Sequence, residues 1–121
     1  MVLKYRDPKS GELRFLLDDK AVTVSLTNEN GTFTRKNVPS QWFDRILAAI
    51  ELKTSYEIDL TDEKDGLFIA IDTKGGAFCF KTDGELNEIT VPIIDLFATV
   101  KRIWGYFMVS LYKEDEKTPI K

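Results

Sequence analysis

The chain has 121 residues, 43% hydrophobic and 31% charged, with a formal net charge of −3 and a pI near 5.0. That is enough for one domain with a real core, of ordinary globular composition, and too balanced for a disordered or collagen-like chain. Histidine is absent and cysteine occurs once, at Cys79, which removes the usual general base and commonest metal ligand and excludes an internal disulfide. No enzyme, no metal and no cofactor is expected.

The opening residues carry no secretory pattern. The most apolar run is interrupted by Asp95, Lys101 and Arg102, so a cytoplasmic protein without a membrane span is expected.

Val2 to Arg6 reads as a short alternating strand, followed by a turn at Asp7 to Glu12. From about Glu12 to Leu17 a second strand sets Leu13, Phe15 and Leu17 on one side and Arg14 on the other. After Asp18-Asp19-Lys20, a third strand alternates Val22, Val24 and Leu26 with Thr23 and Ser25. The NENG turn at Asn28 to Gly31 leads into a fourth, with Phe33 and Arg35 opposite Thr34 and Lys36. A helix follows from about Pro39 to Leu52, its apolar stripe formed by Trp42 or Phe43 with Ile46, Leu47 and Ile50.

The second half runs in the same order. Thr54 to Leu60 and Leu67 to Thr73 read as strands around the acidic turn at Thr61 to Gly66, and TKGG closes a hairpin into AFCFKTD. Cys79 there is flanked by two phenylalanines and reads as a small buried thiol. Gly75-Gly76 leads into a strand, not a helix, so it is no phosphate loop. Glu85 to Ile89 adds a shorter fourth strand.

The last element, Thr90 to Tyr112, reads as a long helix. Ile93, Leu96, Phe97, Val100, Trp104, Phe107, Met108 and Leu111 form its core stripe, and Asp95, Thr99, Arg102, Tyr106 and Ser110 its polar face. Pro92 fits its first turn, with Thr90 or Val91 as cap. A further strip of Ile94, Ala98, Gly105 and Val109 offers small residues for close approach of a second helix, and a homo-oligomer is expected through it.

The class that emerges is α+β: two antiparallel sheets, each followed by a helix entered by Val-Pro, at Val38-Pro39 and Val91-Pro92. One domain, 1–121, divides into halves of about 1–52 and 53–112 with a polar tail at 113–121.

Asn37 to Ile46, NVPSQWFDRI, is similar to the helix entry of the positive-cofactor-four transcriptional coactivator in its proline followed by Gln41-Trp42. Pro92-Ile93 and Phe97 resemble the closing helix of the Whirly single-stranded DNA-binding proteins. The lysine-glycine-lysine strand motif of plant Whirly proteins and the coactivator's basic Lys-Pro-Gly stretch are both missing. This resemblance covers most of the chain as element order and about a quarter of it as residues. It implies a single-stranded DNA or RNA binder acting in replication, recombination or transcription, of a type that phages also carry.

Such binding needs cations for phosphates and aromatic faces for bases. Residues 1–50 hold eight Lys or Arg against six acids, and residues 51–121 nine against fourteen. Lys4, Arg6, Arg14, Lys20, Arg35 and Lys36 are therefore the candidate phosphate ligands, with Tyr5 and Phe33 as stacking partners. The acidic pI opposes nonspecific affinity. As an alternative, the acidic set Glu57, Asp59, Asp62, Glu63, Asp65 and Asp72 offers a surface for a basic protein partner, as in a phage or mobile-element protein that inhibits a host protein.

Overall fold

The computed structural model describes residues 1–18, 21–53, 56–59 and 66–117, with side chains described except at 56–59 and 109–117. Its first half is an antiparallel meander of β1 (Val2–Asp7), β2 (Gly11–Leu17), β3 (Val22–Asn28) and β4 (Gly31–Val38), followed by α1 (Ser40–Leu52). The second half repeats the order with β5 (Tyr56–Asp59), β6 (Gly66–Ile71), β7 (Gly75–Thr82), β8 (Glu85–Pro92) and α2 (Ile93–Lys117). Both sheets keep sequential strand order, as short hairpin connections dictate. The α+β architecture expected from the sequence is the one observed.

Local chemistry explains the turns. Asp7, Asn28 and Asp72 each accept backbone N–H bonds from two or three residues ahead, at 2.7 to 3.1 Å, which bends the chain without any tertiary help. Asp83 and Gly84 both adopt positive φ, 50° and 81°, the paired left-handed conformation of a tight hairpin between β7 and β8.

The end of β8 and both ends of α2 differ from the sequence reading, α2 running to Lys117 through part of the expected polar tail instead of stopping at Tyr112. β8 runs three residues beyond Ile89, because its charged positions sit on the outer face while Asn87, Ile89 and Val91 alternate inward. Pro92 accordingly ends a strand instead of occupying the first turn of α2. Helix α2 starts at Ile93, whose N–H donates to the Lys74 carbonyl at 2.8 Å, so the β6–β7 turn satisfies a donor that the helix cannot. Pro39 plays the matching part before α1, extended at φ −69° and ψ 149°.

The inner faces of both sheets and the two helices share one core. Phe15 of β2 meets Phe43 of α1 and Phe78 of β7 edge to face, at ring-centroid distances of 6.1 and 5.5 Å, and Trp42 packs on Phe43 and Phe78 at 5.2 and 6.1 Å. Each buried aromatic or aliphatic side chain there contributes about 1.5–3 kcal/mol. Trp42 and Phe43 are thus both buried, with Ile46 and Ala49, while Leu47 and Ile50 are half-buried.

One buried polar side chain, Asn87 of β8, ties the halves together. Its Oδ1 accepts from Asn28 Nδ2 at 3.2 Å and from Asn30 Nδ2 at 3.0 Å, linking the β3–β4 turn to the second sheet. Buried amides persist where they are bonded in this way.

The face of α2 that enters the core is also rotated from the expected one. Leu96, Val100 and Ile103 are fully buried, with Ile93, Tyr106 and Phe107 packed beside them, whereas Phe97 and Trp104 face outward. Apolar residues surround most of this helix, so periodicity alone selects no face. The close approach of α2 to α1 and β7 selects it: a Cβ at Gly76 would lie 2.8 Å from Leu96 Cδ2.

Candidate nucleic-acid interface

Strand register decides which candidate residues share a surface. Lys4 pairs with Arg14, Arg14 with Ser25 and Ser25 with Thr34, forming one row across the outer face of the first sheet. Arg6 leads the next row, through Glu12 and Thr27 to Thr32, and the Thr27 and Thr32 hydroxyls lie 3.1 Å apart. Lys36, exposed, alternates with Arg35 and so joins this outer face at the β4 edge.

Four cations therefore stand on one face with a single carboxylate, Glu12, whose Oε1 is 3.3 Å from Arg14 Nε. Both members of that pair are solvated, so it holds Arg14 only weakly. Thr and Ser hydroxyls fill the spaces between the cations.

The other candidates are elsewhere. Tyr5 is in register with buried Leu13, Phe33 with Leu26, and Arg35 with Val24, so all three belong to the inner face. Tyr5 and Phe33 pack against the core, half-buried. Burial, and then the charges of Asp7 and Asp95, raise the Tyr5 phenol above the ordinary tyrosine pKa. The expected interleaving of cations with Tyr5 and Phe33 is thus corrected: aromatics and most cations occupy opposite faces.

A β-bulge contributes to this arrangement. Between Val22 and Val24 the partner strand advances from Val38 to Arg35, three residues against two, and Asn37 takes up the slack at φ 59°. Arg35 and Val38 can then share the inner side although an odd number of residues separates them.

At the β4 edge the two faces meet. There Phe33 and Arg35 line a cleft of about 270 Å³ with Gly66, Phe80, Lys81 and Thr82 of the second sheet. Lys81 escaped the sequence reading, because nothing local in FKTD distinguishes it from a solvated strand end. Lys20 lies outside the described residues, as do Asp62, Glu63 and Asp65 of the acidic set, and Glu57 and Asp59 are described as backbone only. Asp72 is exposed and holds the β6–β7 turn through the Lys74 and Gly75 amides.

Of the small-residue strip on α2, Ile94 and Ala98 are exposed and Gly105 half-buried, and the side chain of Val109 lies outside the described residues. Between the outward Phe97 and Trp104 rings sits Lys101, its Nζ 5.9 and 5.2 Å from their centroids. The sequence reading missed this aromatic and cationic strip by assigning both rings to the core.

Cys79 is buried on β7, its Sγ 3.4 Å from the Ala77 carbonyl and 3.5 Å from Glu88 Oε2. Among the described residues no group of three or more His, Cys, Asp or Glu is placed to hold a metal ion, and no helix is long and apolar enough to cross a membrane. No family model, no curated protein and no solved structure matches the chain.

Proposed function

We propose that the protein binds single-stranded nucleic acid, without strong sequence preference, across the outer face of the first sheet. The observation that carries this reading is the collection of Lys4, Arg6, Arg14 and Lys36 on one face of a protein whose net charge is −3. Adjacent strands lie about 4.8 Å apart and alternate residues about 6.8 Å apart along a strand, so Lys4 to Lys36 spans roughly 14 Å and Lys4 to Arg6 roughly 7 Å. A few nucleotides cover that patch.

Stacking contributes less than the sequence suggests, since the outer face carries no aromatic ring. The β4 cleft, lined by the Phe33 and Phe80 rings with Arg35 and Lys81 beside them, has room for one unstacked base. Phosphate contacts then dominate, and binding is weak and salt-sensitive. The order of two four-strand-and-helix units agrees with the unit of the Whirly and coactivator families, and roles in replication, recombination or transcription follow from that resemblance. As the face is built in the monomer, binding does not need a second copy.

Anisotropy of a labelled thirty-base oligothymidine tests the proposal against a duplex of equal length. The single strand should bind at about 20 mM salt and weaken steadily as salt rises. Absence of binding at about 100 μM protein, or equal affinity for the duplex, overturns it.

A further inference from the structure

The cleft at the β4 edge has a neighbour. A second open cleft, of about 510 Å³, adjoins it and is lined by Asn30, Glu85, Leu86, Asn87 and again Phe33, so Phe33 is common to the two. Strand register relates their opposite walls. Phe80, Lys81 and Thr82 of β7 line the first cleft, and their partners on β8, Asn87, Leu86 and Glu85, line the second. Phe33 therefore stands against the end of the β7–β8 hairpin as a partition with an open cleft on either side.

The two clefts differ in chemistry. The first has the Phe80 ring with Arg35 and Lys81; the second has the Asn30 and Asn87 amides, the Glu85 carboxylate and Leu86, an aliphatic side chain left 53% exposed. Asn30 is fixed there by its bond to Asn87 Oδ1 at 3.0 Å. A flat ring between two clefts, with apolar surface in each and cations at one, fits two flat faces joined by an anion. Two successive nucleotides have that chemistry, and an apolar wedge between base steps is a recurrent way of holding them. Glu85 repels a phosphate from its own side, so the linking phosphate belongs toward Arg35 and Lys81. Dimensions agree: two bases parted by a ring lie about 7 Å apart, twice the stacking rise of about 3.4 Å, and β6 to β8 spans about 10 Å. The groove is also continuous with the cationic face, because Thr34 both ends the row from Lys4 through Arg14 and Ser25 and lines the first cleft.

We infer that the groove seats two successive nucleotides of a single strand with Phe33 wedged between their bases, an inference that rests on the single-strand binding proposed above and adds where the strand leaves the outer face. One base lies against Phe33 and Phe80 beside the cations, and the other lies over Leu86 beside the amides. Duplex DNA is excluded from this seat, since its paired bases cannot part around a side chain without unstacking.

Titration of the isotope-labelled full chain with the dinucleotide thymidylyl-thymidine, followed through its backbone amide NMR signals, is the test. Signals of Phe33, Arg35, Lys81 and Leu86 should move together and saturate in the millimolar range. Thymidine monophosphate, which fills one cleft, should bind at least fivefold more weakly, as the loss of one base stack predicts. Phe33→Leu keeps an apolar side chain against the core but removes the flat ring, and Leu86→Glu puts a carboxylate under the second base at an exposed position. Each should weaken the dinucleotide at least fivefold, with melting as the check on folding. Lys4→Ala with Lys36→Ala, on the outer face, should change it less than twofold. No shift at about 20 mM dinucleotide, shifts centred outside the groove, equal binding of the mononucleotide, or indifference to both groove substitutions overturns the inference. Oligothymidine binding that persists in those cases leaves the outer face as the whole site. A dinucleotide seated in the groove of a protein that does not bind oligothymidine supports the seat and overturns the outer-face reading instead.

Discussion

Replacing Lys4 and Lys36 together by Ala tests the cationic face at its two edges, since β1 and β4 are the outer strands of the first sheet. Both side chains are exposed, and Lys4 and Lys36 can be truncated without opening the core. If each of the four face cations meets one phosphate, the logarithm of the binding constant should fall with the logarithm of salt at a slope of about −2.8, from roughly 0.7 per single-strand contact. The double variant should halve that slope to about −1.4. At about 0.1 M salt each contact is worth roughly fivefold, so affinity should drop about 25-fold, or about 1.9 kcal/mol. Anisotropy titrations at four salt concentrations measure slope and affinity together. The matched control is Arg45→Ala with Lys53→Ala, which removes the same charge from α1 and its end and should change affinity less than about twofold. Equal losses in the two variants would refute the face as the site and reduce the effect to net charge. An unchanged slope in the Lys4 and Lys36 variant would refute the phosphate contacts themselves.

Other outcomes follow from the packing. Asn87→Ala removes the acceptor for Asn28 and Asn30, and because both donors can rehydrate, the loss should be about 1–2 kcal/mol, seen as a melting temperature lower by roughly 3–10 °C. Gly76→Ala places a Cβ 2.7 Å from Ile69 Cδ1 and 2.8 Å from Leu96 Cδ2, so urea unfolding should show about 1–3 kcal/mol of overpacking; a neutral result would mean that α2 sits farther from β7. Tyr5 ionises above the ordinary tyrosine value, so its contribution to stability is fully present below about pH 10 and is lost as pH rises through its folded pKa. Tyr5→Phe should therefore flatten the decline in denaturant midpoint above about pH 10, and parallel declines in the two proteins would contradict the raised phenol pKa.

Most of the fold was legible in the residues because strand alternation and turn chemistry are local. Leu13, Phe15 and Leu17 against Arg14, or Val22, Val24 and Leu26 against Thr23 and Ser25, name the buried face of a strand without reference to anything distant. Asp7, Asn28, Asp72 and Asp83-Gly84 end those strands through bonds and dihedrals reaching two or three residues, and Pro39 and Pro92 mark where each helix begins just beyond. The cations of the candidate site were legible in the same way. Lys4, Arg6 and Arg14 occupy outward positions of well-alternating strands, and register only had to bring them side by side.

Where alternation weakens, tertiary structure decided. On β4 the residues at both parities are polar or aromatic, and the bulge at Asn37 shifts the parity before Val38, so the inward placement of Phe33 and Arg35 could not be read locally. The charges of β8 hid a full-length edge strand, which forms because its partner β7 supplies the hydrogen bonds and leaves the charges in water. Helix α2 is apolar around most of its circumference. Only docking against α1 and β7 determined that Leu96, Val100 and Ile103 lose their water while Phe97 and Trp104 keep part of theirs, because burial depends on which surfaces meet and periodicity records only which surfaces are apolar.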